Sequence, residues 1–344
     1  MITEVIAKEE IARAKSIIYE VNSIAIVTHM SPDGDAMGSS LGLLHFLKAL
    51  GKETVAVVVP NKAPAFLQWM PGAEDVISYE TQQEEADLVL SNTELIVCLD
   101  FNTLSRIGIM GEKVAMAPAK KILLDHHLYP ADFADVIMSY PYISSTSELV
   151  FRLICRMGHF MDINKACAEC IYTGMMTDTG NFSYNSNQAE IYIIVSELMK
   201  LGIDKDDIYR KVFNTYSADR MRLMGYCLYK KMKLYPEYQT ALITLTGKEL
   251  FPFHFQPGDA EGLVNLPLSI DGINFSVMMR EDKDKIKLSF RSQGKFPSNI
   301  MAAEFFGGGG HLNAAGGESY ISMDETIKKF EEALPSYYEA HKEQ

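Results

Sequence analysis

The chain has 344 residues, room for about two domains of ordinary size. Its 32 Lys and Arg against 45 Asp and Glu leave a net charge of −13, which excludes a general coat for long nucleic acid, since phosphate backbones are held by Lys and Arg. Five cysteines, an odd and sparse count, argue against a disulfide framework and fit a reducing cytoplasm; no apolar run approaches the roughly 18 residues of a membrane span, and the acidic start MITEVIAKEEIARAK lacks a signal-peptide pattern.

In chain order, Ile2 to Asn22 has helical spacing of apolar residues. Ser23 to Thr28 (SIAIVT) is a short β-branched run and predicts a buried strand. Ala36 to Leu50 is helical and stops at Gly51. Buried strands follow at Thr54 to Val59, Leu95 to Leu99 and Lys121 to Leu124, and helices at Ser145 to Met157 and Asn164 to Thr177. Apolar strands alternating with helices predict a parallel sheet covered on both faces over residues 1–205. Residues 206–232 are charged and helical, a candidate connector. From 233 onward the texture changes to alternating strands, at Gln239 to Leu245, Ile273 to Met279 and Lys285 to Phe290. Helices at Ser298 to Phe306 and Met323 to His341 complete a smaller α+β domain over 233–344.

Chemistry-bearing residues collect where the first domain's strands end, the place where open parallel sheets bind ligands. His29, Asp33 and Asp35 follow the first strand in HMSPDGDA. That pattern suits a metal site, although an Asp-rich turn capping a helix looks the same locally. Asp100 ends the Leu95 to Leu99 run, and Arg106 follows as a candidate phosphate partner. Asp125, His126 and His127 end a further strand. Adjacent imidazoles after an Asp are hard to explain as packing and suit divalent transition metals. Asp178 stands in a Gly- and Thr-rich turn after a helix. Four clustered carboxylates repel one another unless cations offset them. Two divalent ions would do so, manganese first and magnesium second, because magnesium prefers all-oxygen shells.

These motifs together resemble the DHH superfamily of phosphoesterases, named for the triplet Asp125-His126-His127. HMSPDGDA, the strand-end Asp100, the TDTG turn at Asp178 and the C-terminal GGGGHLNAAGG complete the resemblance in order. The two-domain layout is most similar to the bacterial nanoRNase/pAp-phosphatase branch. The resemblance implies a DHH catalytic domain, a DHH-associated substrate-binding domain and an active site in the cleft between them. It implies that His29, Asp33 and Asp100 hold one ion and that Asp35, His126 and Asp178 hold the other, with Asp100 bridging. Asp125 would orient His126, and His127 would act beside the leaving group. Arg291, Ser292, Gly308, Gly309, Gly310 and His311 would bind the far end of the substrate, the glycines by cradling a phosphate.

The implied activity is hydrolysis of very short RNA or 3′-phosphoadenosine 5′-phosphate, by in-line attack of a hydroxide held between the ions. Cyclic or linear dinucleotides, polyphosphate and pyrophosphate are alternative substrates, and a non-catalytic metal or nucleotide sensor is the alternative of another class. Neither long nucleic acid nor membrane is expected as a partner. A homodimer stays open, since no self-pairing motif is present. The single CxxC at Cys167 and Cys170 lies inside a predicted helix without a second pair and reads as two buried thiols.

Overall fold

Strand β1 (Ser23–Thr28) is apolar on both sides because both sides are covered. Its neighbours are β2 (Thr54–Val59) and β4 (Leu95–Leu99), with β3 (Ile77–Ser78), β5 (Lys120–Asp125) and β6 (Val136–Ser139) completing a six-stranded sheet. The computed structural model describes residues 4–256 and 258–342. The strand order is β3-β2-β1-β4-β5-β6, and every pair is parallel. The order reverses between β1 and β4, so a crevice opens there at the carboxyl ends of the strands.

Alternate residues of each strand enter two different cores. Ile24, Ile26, Val97 and Leu99 pack with α1 (Lys8–Glu20), α2 (Gly34–Ala49), α5 (Thr146–Arg156) and α6 (Lys165–Asp178). Ala25, Val27, Ile96 and Cys98 face α3 (Gln83–Asn92) and α4 (Met110–Met116) on the other side. This is the period-two alternation of a sheet between two helical layers. The first predicted helix begins later than its spacing suggested, at Lys8, and Ile2 lies outside the described residues.

The chain divides into two units, Met1–Thr215 and Tyr216–Gln344. The stretch read as a connector is shared between them. After α7 (Ala189–Lys200), helix α8 (Lys205–Phe213) buries Ile208 and Val212 in the first core, and the Lys211 ammonium lies 4.6 Å from the Trp69 ring centre. Helix α9 (Ala218–Tyr226) buries Leu223 in the second unit, and a π-helical turn at Cys227–Lys231 ends it.

The second unit is a mixed six-stranded sheet of β7 (Met232–Tyr235), β8 (Thr240–Leu245), β9 (Phe275–Glu281), β10 (Ile286–Ser292), β11 (Gly309–His311) and β12 (Ala314–Ser319). Only β8 and β9 run parallel. A short helix α10 (Gly247–Leu250) follows β8. Helices α11 (Ser298–Phe306) and α12 (Met323–His341) cover Phe275, Leu288 and Phe290 on one face.

Candidate metal centre

Asp33 is the N-cap of α2, and its Oδ1 accepts the N–H groups of Asp35 and Ala36 at 3.0 Å. The capping expected of an Asp-rich turn is therefore present, in a loop that also carries the candidate ligands. His29 sits between the strand and this turn. Its Nδ1 lies 2.9 Å from the Met30 carbonyl oxygen. A carbonyl only accepts, so that nitrogen carries the proton, and the Nε2 lone pair of the neutral ring is available. Nε2 lies 3.4 Å from Asp100 Oδ2 and 3.8 Å from Asp33 Oδ1.

His126 repeats this arrangement. Its Nδ1 is 3.2 Å from the Ile143 carbonyl, and its Nε2 is 3.4 Å from Asp178, 3.5 Å from Asp100 and 4.0 Å from Asp35. Asp100 leaves β4 with φ 66°, a left-handed conformation that Asp tolerates better than most residues. Besides the cluster Asp100–Asp125–His127, in which Asp125 is bonded to His127, two ligand sets result, His29–Asp33–Asp100 and Asp35–Asp100–His126. Within each, one ligand atom per residue lies within 4.8 Å of the others, and Asp100 is common to both. Asp178 ends α6, rather than following it in a turn, and adjoins the second set through His126.

Asp125 does not orient His126. Its Oδ1 lies 2.7 Å from Nδ1 of His127. Side chains two apart along an extended chain share a side, whereas the adjacent one points away. Asp125 thus fixes the ring of His127.

The electrostatics match a site built for cations. Burial alone would lower His29, but Asp100 and Asp33 outweigh it and raise the imidazole to about 10. His126 is likewise lowered by burial and lifted to about 9 by Asp178, Asp100 and Asp35. Burial, then the charges of Asp100 and Asp178, push Asp35 well above the usual carboxylate range. Burial also raises Asp178 to about 7, with Asp100 adding to it and His126 opposing. Protons on the imidazoles balance the carboxylates where a divalent ion would do so better. Mixed imidazole and carboxylate donors with available lone pairs fit such ions.

Glycines bring the ligands together. Gly34, Gly38 and Gly42 form a stripe at helical spacing on α2, facing α6. A Cβ on Gly38 would lie 2.7 Å from the Cys170 carbonyl oxygen and the Gly174 nitrogen. One on Gly34 would lie 2.2 Å from Thr177 Oγ1. The close approach brings the end of α6, with Asp178, beside the start of α2, with Asp33 and Asp35.

Comparison with known proteins agrees with this centre. The DHH family N-terminal domain matches residues 23–175, and the DHHA1 domain matches residues 242–336. A bifunctional oligoribonuclease and PAP phosphatase, NrnA of Thermus thermophilus, is 30% identical over 90% of this chain and 89% of its own length. The chain belongs to the DHH family. It is a phosphoester hydrolase with His and Asp groups placed for divalent metal. The cyclic-di-AMP phosphodiesterase GdpP of Bacillus subtilis is 27% identical over 94% of this chain, which spans 49% of that protein. A crystal structure of an exopolyphosphatase-related protein from Bacteroides fragilis is 58% identical, with a TM-score of 0.94, covering 98% of this chain and 99% of that one. RecJ of Thermus thermophilus, in complex with Mn2+, shares the fold at 13% identity and a TM-score of 0.53, over 97% of this chain and 54% of its own.

In the second unit the predicted substrate residues divide by local role. Arg291 is the last residue but one of β10, within the strand rather than after it, and its guanidinium donates to the Phe290 carbonyl at 3.0 Å. The buried Ser292 hydroxyl donates to the Phe296 carbonyl at 2.5 Å and accepts from Asn313 at 2.9 Å, so it ties the loop together. The glycine run is not only a loop, because Gly309–His311 pair with β12 as strand β11. A Cβ on Gly308 would lie 1.9 Å from the Gly316 carbonyl oxygen, and one on Gly310 would lie 2.4 Å from that of Ala314. Those two glycines serve close backbone approach, whereas Gly309 faces open space. In the first unit, Arg106 is half-buried, and its carbonyl accepts the Met30 N–H at 2.8 Å, which ties the β1 and β4 loops.

Thr146 and Ser147 had no motif to mark them, yet both touch the candidate ligands. Thr146 donates its hydroxyl to Asp100 and its N–H to Asp35, and Ser147 donates its N–H to Asp35. The signal available was SSTSE, an N-cap Ser followed three residues later by Glu.

Proposed function

We propose that the protein hydrolyses very short oligoribonucleotides and 3′-phosphoadenosine 5′-phosphate with two divalent ions, manganese in first place. The observation that carries this reading is the end-to-end match to an oligoribonuclease and PAP phosphatase, joined to two ligand sets that share Asp100. His29, Asp33 and Asp100 would hold one ion, and Asp35, Asp100, His126 and Asp178 the other. Bound ions would activate water and offset the charge that develops on a phosphoryl group. The chain's own residues do the rest. Asp125 accepts the Nδ1 proton of His127 and holds the ring, whose protonated, imidazolium form would donate from Nε2 to the leaving oxygen. Arg106, beside the β1 loop, offers a cation to a phosphate. Arg291 and the Gly309 and His311 region would hold a terminal phosphate or nucleotide, with open space on the side of Gly309 where a Cβ would stand. All five cysteines are free, which suits the cytoplasm.

The test is hydrolysis with Mn2+ on 5′-phosphorylated dinucleotide RNA, 3′-phosphoadenosine 5′-phosphate, cyclic di-AMP, pyrophosphate, polyphosphate and a long single strand. Fast release of mononucleotides from the dinucleotide with little action on the long strand supports the proposal. A second reading, polyphosphate cleavage, is favoured by the 58% identity to an exopolyphosphatase-related protein. Polyphosphate hydrolysis without action on any nucleotide would replace the first reading with the second.

A further inference from the structure

We infer that the start of α5 is a positioning element for the ion-binding carboxylates and that it acts through Thr146. The inference rests on the metal-site reading above. Asp35 belongs to the second ligand set and Asp100 to both. Two neighbouring carboxylates repel each other, and a carboxylate tied at neither oxygen would rotate away. Here both oxygens of Asp35 are tied to the first turn of α5. Thr146 N–H donates to Oδ2 at 2.6 Å and Ser147 N–H donates to Oδ1 at 2.9 Å. The Thr146 hydroxyl donates to Asp100 Oδ1 at 2.9 Å. One residue therefore sets the spacing between the two carboxylates, by its backbone to one and by its side chain to the other.

The first turn is itself rigidly held. The Ser145 hydroxyl accepts the Glu148 N–H at 3.0 Å. Glu148 reaches back to the Ser144 N–H at 3.2 Å and its hydroxyl at 2.5 Å, and the Arg152 Nε donates to the same carboxylate at 2.8 Å. The frame is also sealed. A Cβ on Gly174 would lie 1.9 Å from Ser147 Oγ and 2.8 Å from Asp35 Oδ1, so α6 closes over the contact with bare backbone. Thr146 and Ser147 are fully buried. Thr146 touches neither substrate nor ion in this scheme; it acts through Asp35 and Asp100.

The experiment is calorimetric titration of Mn2+ into the ion-stripped, full-length protein as wild type and as Thr146→Val, Thr146→Ala and Thr146→Ser. Partners of metal ligands typically contribute about 10- to 100-fold in affinity. Thr146→Val keeps the volume and the backbone N–H and loses the hydroxyl. It should weaken Mn2+ binding by about that factor, Thr146→Ala should do the same, and Thr146→Ser should restore binding. At saturating Mn2+, kcat should fall in the Val and Ala variants while KM for substrate stays in place. If Thr146→Val does not fold, the Ala and Ser pair decides. Wild-type affinity in the Val or Ala variant would overturn the inference, as would a Ser variant as weak as Ala. A wild-type protein that binds no divalent ion would overturn the metal-site reading and this inference together. Two bound ions in the wild type with unchanged binding in the variants would overturn this inference alone.

Discussion

Asp100 combines a left-handed backbone, burial and membership of both ligand sets. Asn is the variant that isolates its charge, because Asn tolerates φ 66° and keeps the side-chain shape. Asp100→Asn should lower kcat/KM by about three orders of magnitude, roughly 4 kcal/mol, and should abolish the second ion in a Mn2+ titration. A loss confined to KM would contradict the shared role. The protonation of His29 and His126 gives a second prediction. Without ions, burial favours the neutral rings, but the surrounding carboxylates win and raise them to about 10 and about 9. Both rings therefore carry protons at neutral pH, and a cation must displace them. Ion affinity should rise with pH up to those values, with proton release visible as a buffer dependence of the binding heat. Affinity that is flat or falls with pH would contradict it. At this scale much was legible beforehand. His29, Asp33, Asp35, Asp100, His126 and Asp178 stand out by residue type and by their place after apolar runs. The partner of Asp125 was not legible, because three adjacent letters do not reveal which side of the chain each one faces. Thr146 was invisible for a similar reason, since its contacts lie 46 residues away at Asp100 and 111 away at Asp35.

Helices α2 and α6 meet along the glycine stripe, and the strictness of that contact differs along it. A Cβ on Gly38 would strike backbone atoms of Cys170 and Gly174, whereas one on Gly42 would meet first the Ile171 side chain, at 2.8 Å. Backbone cannot yield without moving the helix, but a side chain can change rotamer. Gly38→Ala should therefore destabilise by about 1–3 kcal/mol and also weaken Mn2+ binding, because Asp178 rides on α6. Gly42→Ala should cost less and leave ion binding close to wild type. Thermal melts with Mn2+ titrations check the ordering, and equal effects of the two variants would contradict it. The strands β1, β2, β4 and β5 were legible because each is a short β-branched run covered on both faces. Strands β11 and β12 were not, because GGH and AAGGES carry almost no strand propensity. Their pairing comes from tertiary contact, in which Gly317 gives way to Phe306 and Gly308 to Gly316.

For the whole molecule, composition and texture announced two units, and the structure divides the chain at Thr215 and Tyr216. The expected separate connector dissolves because α8 and α9 each bury an apolar face in a different core. The strand order β3-β2-β1-β4-β5-β6 lies beyond what local periodicity reports, yet it puts the β1 and β4 loops side by side at the reversal of the sheet. Among the described residues no helix is long and apolar enough to cross a membrane. The proposed division of labour assigns ions to the first unit and a terminal phosphate to the second. Arg291→Ala should then raise KM for a phosphorylated dinucleotide while leaving kcat nearly unchanged, since a remote contact is equal in ground and transition states. Steady-state kinetics decide this, and an unchanged KM would contradict the role of Arg291.

The most direct test of the account is anomalous diffraction from crystals grown with Mn2+. Two peaks are expected in the first unit. One is bound by His29, Asp33 and Asp100, and the other by Asp35, Asp100, His126 and Asp178, with Asp100 touching both. A single peak, or two peaks that do not share Asp100, would contradict it.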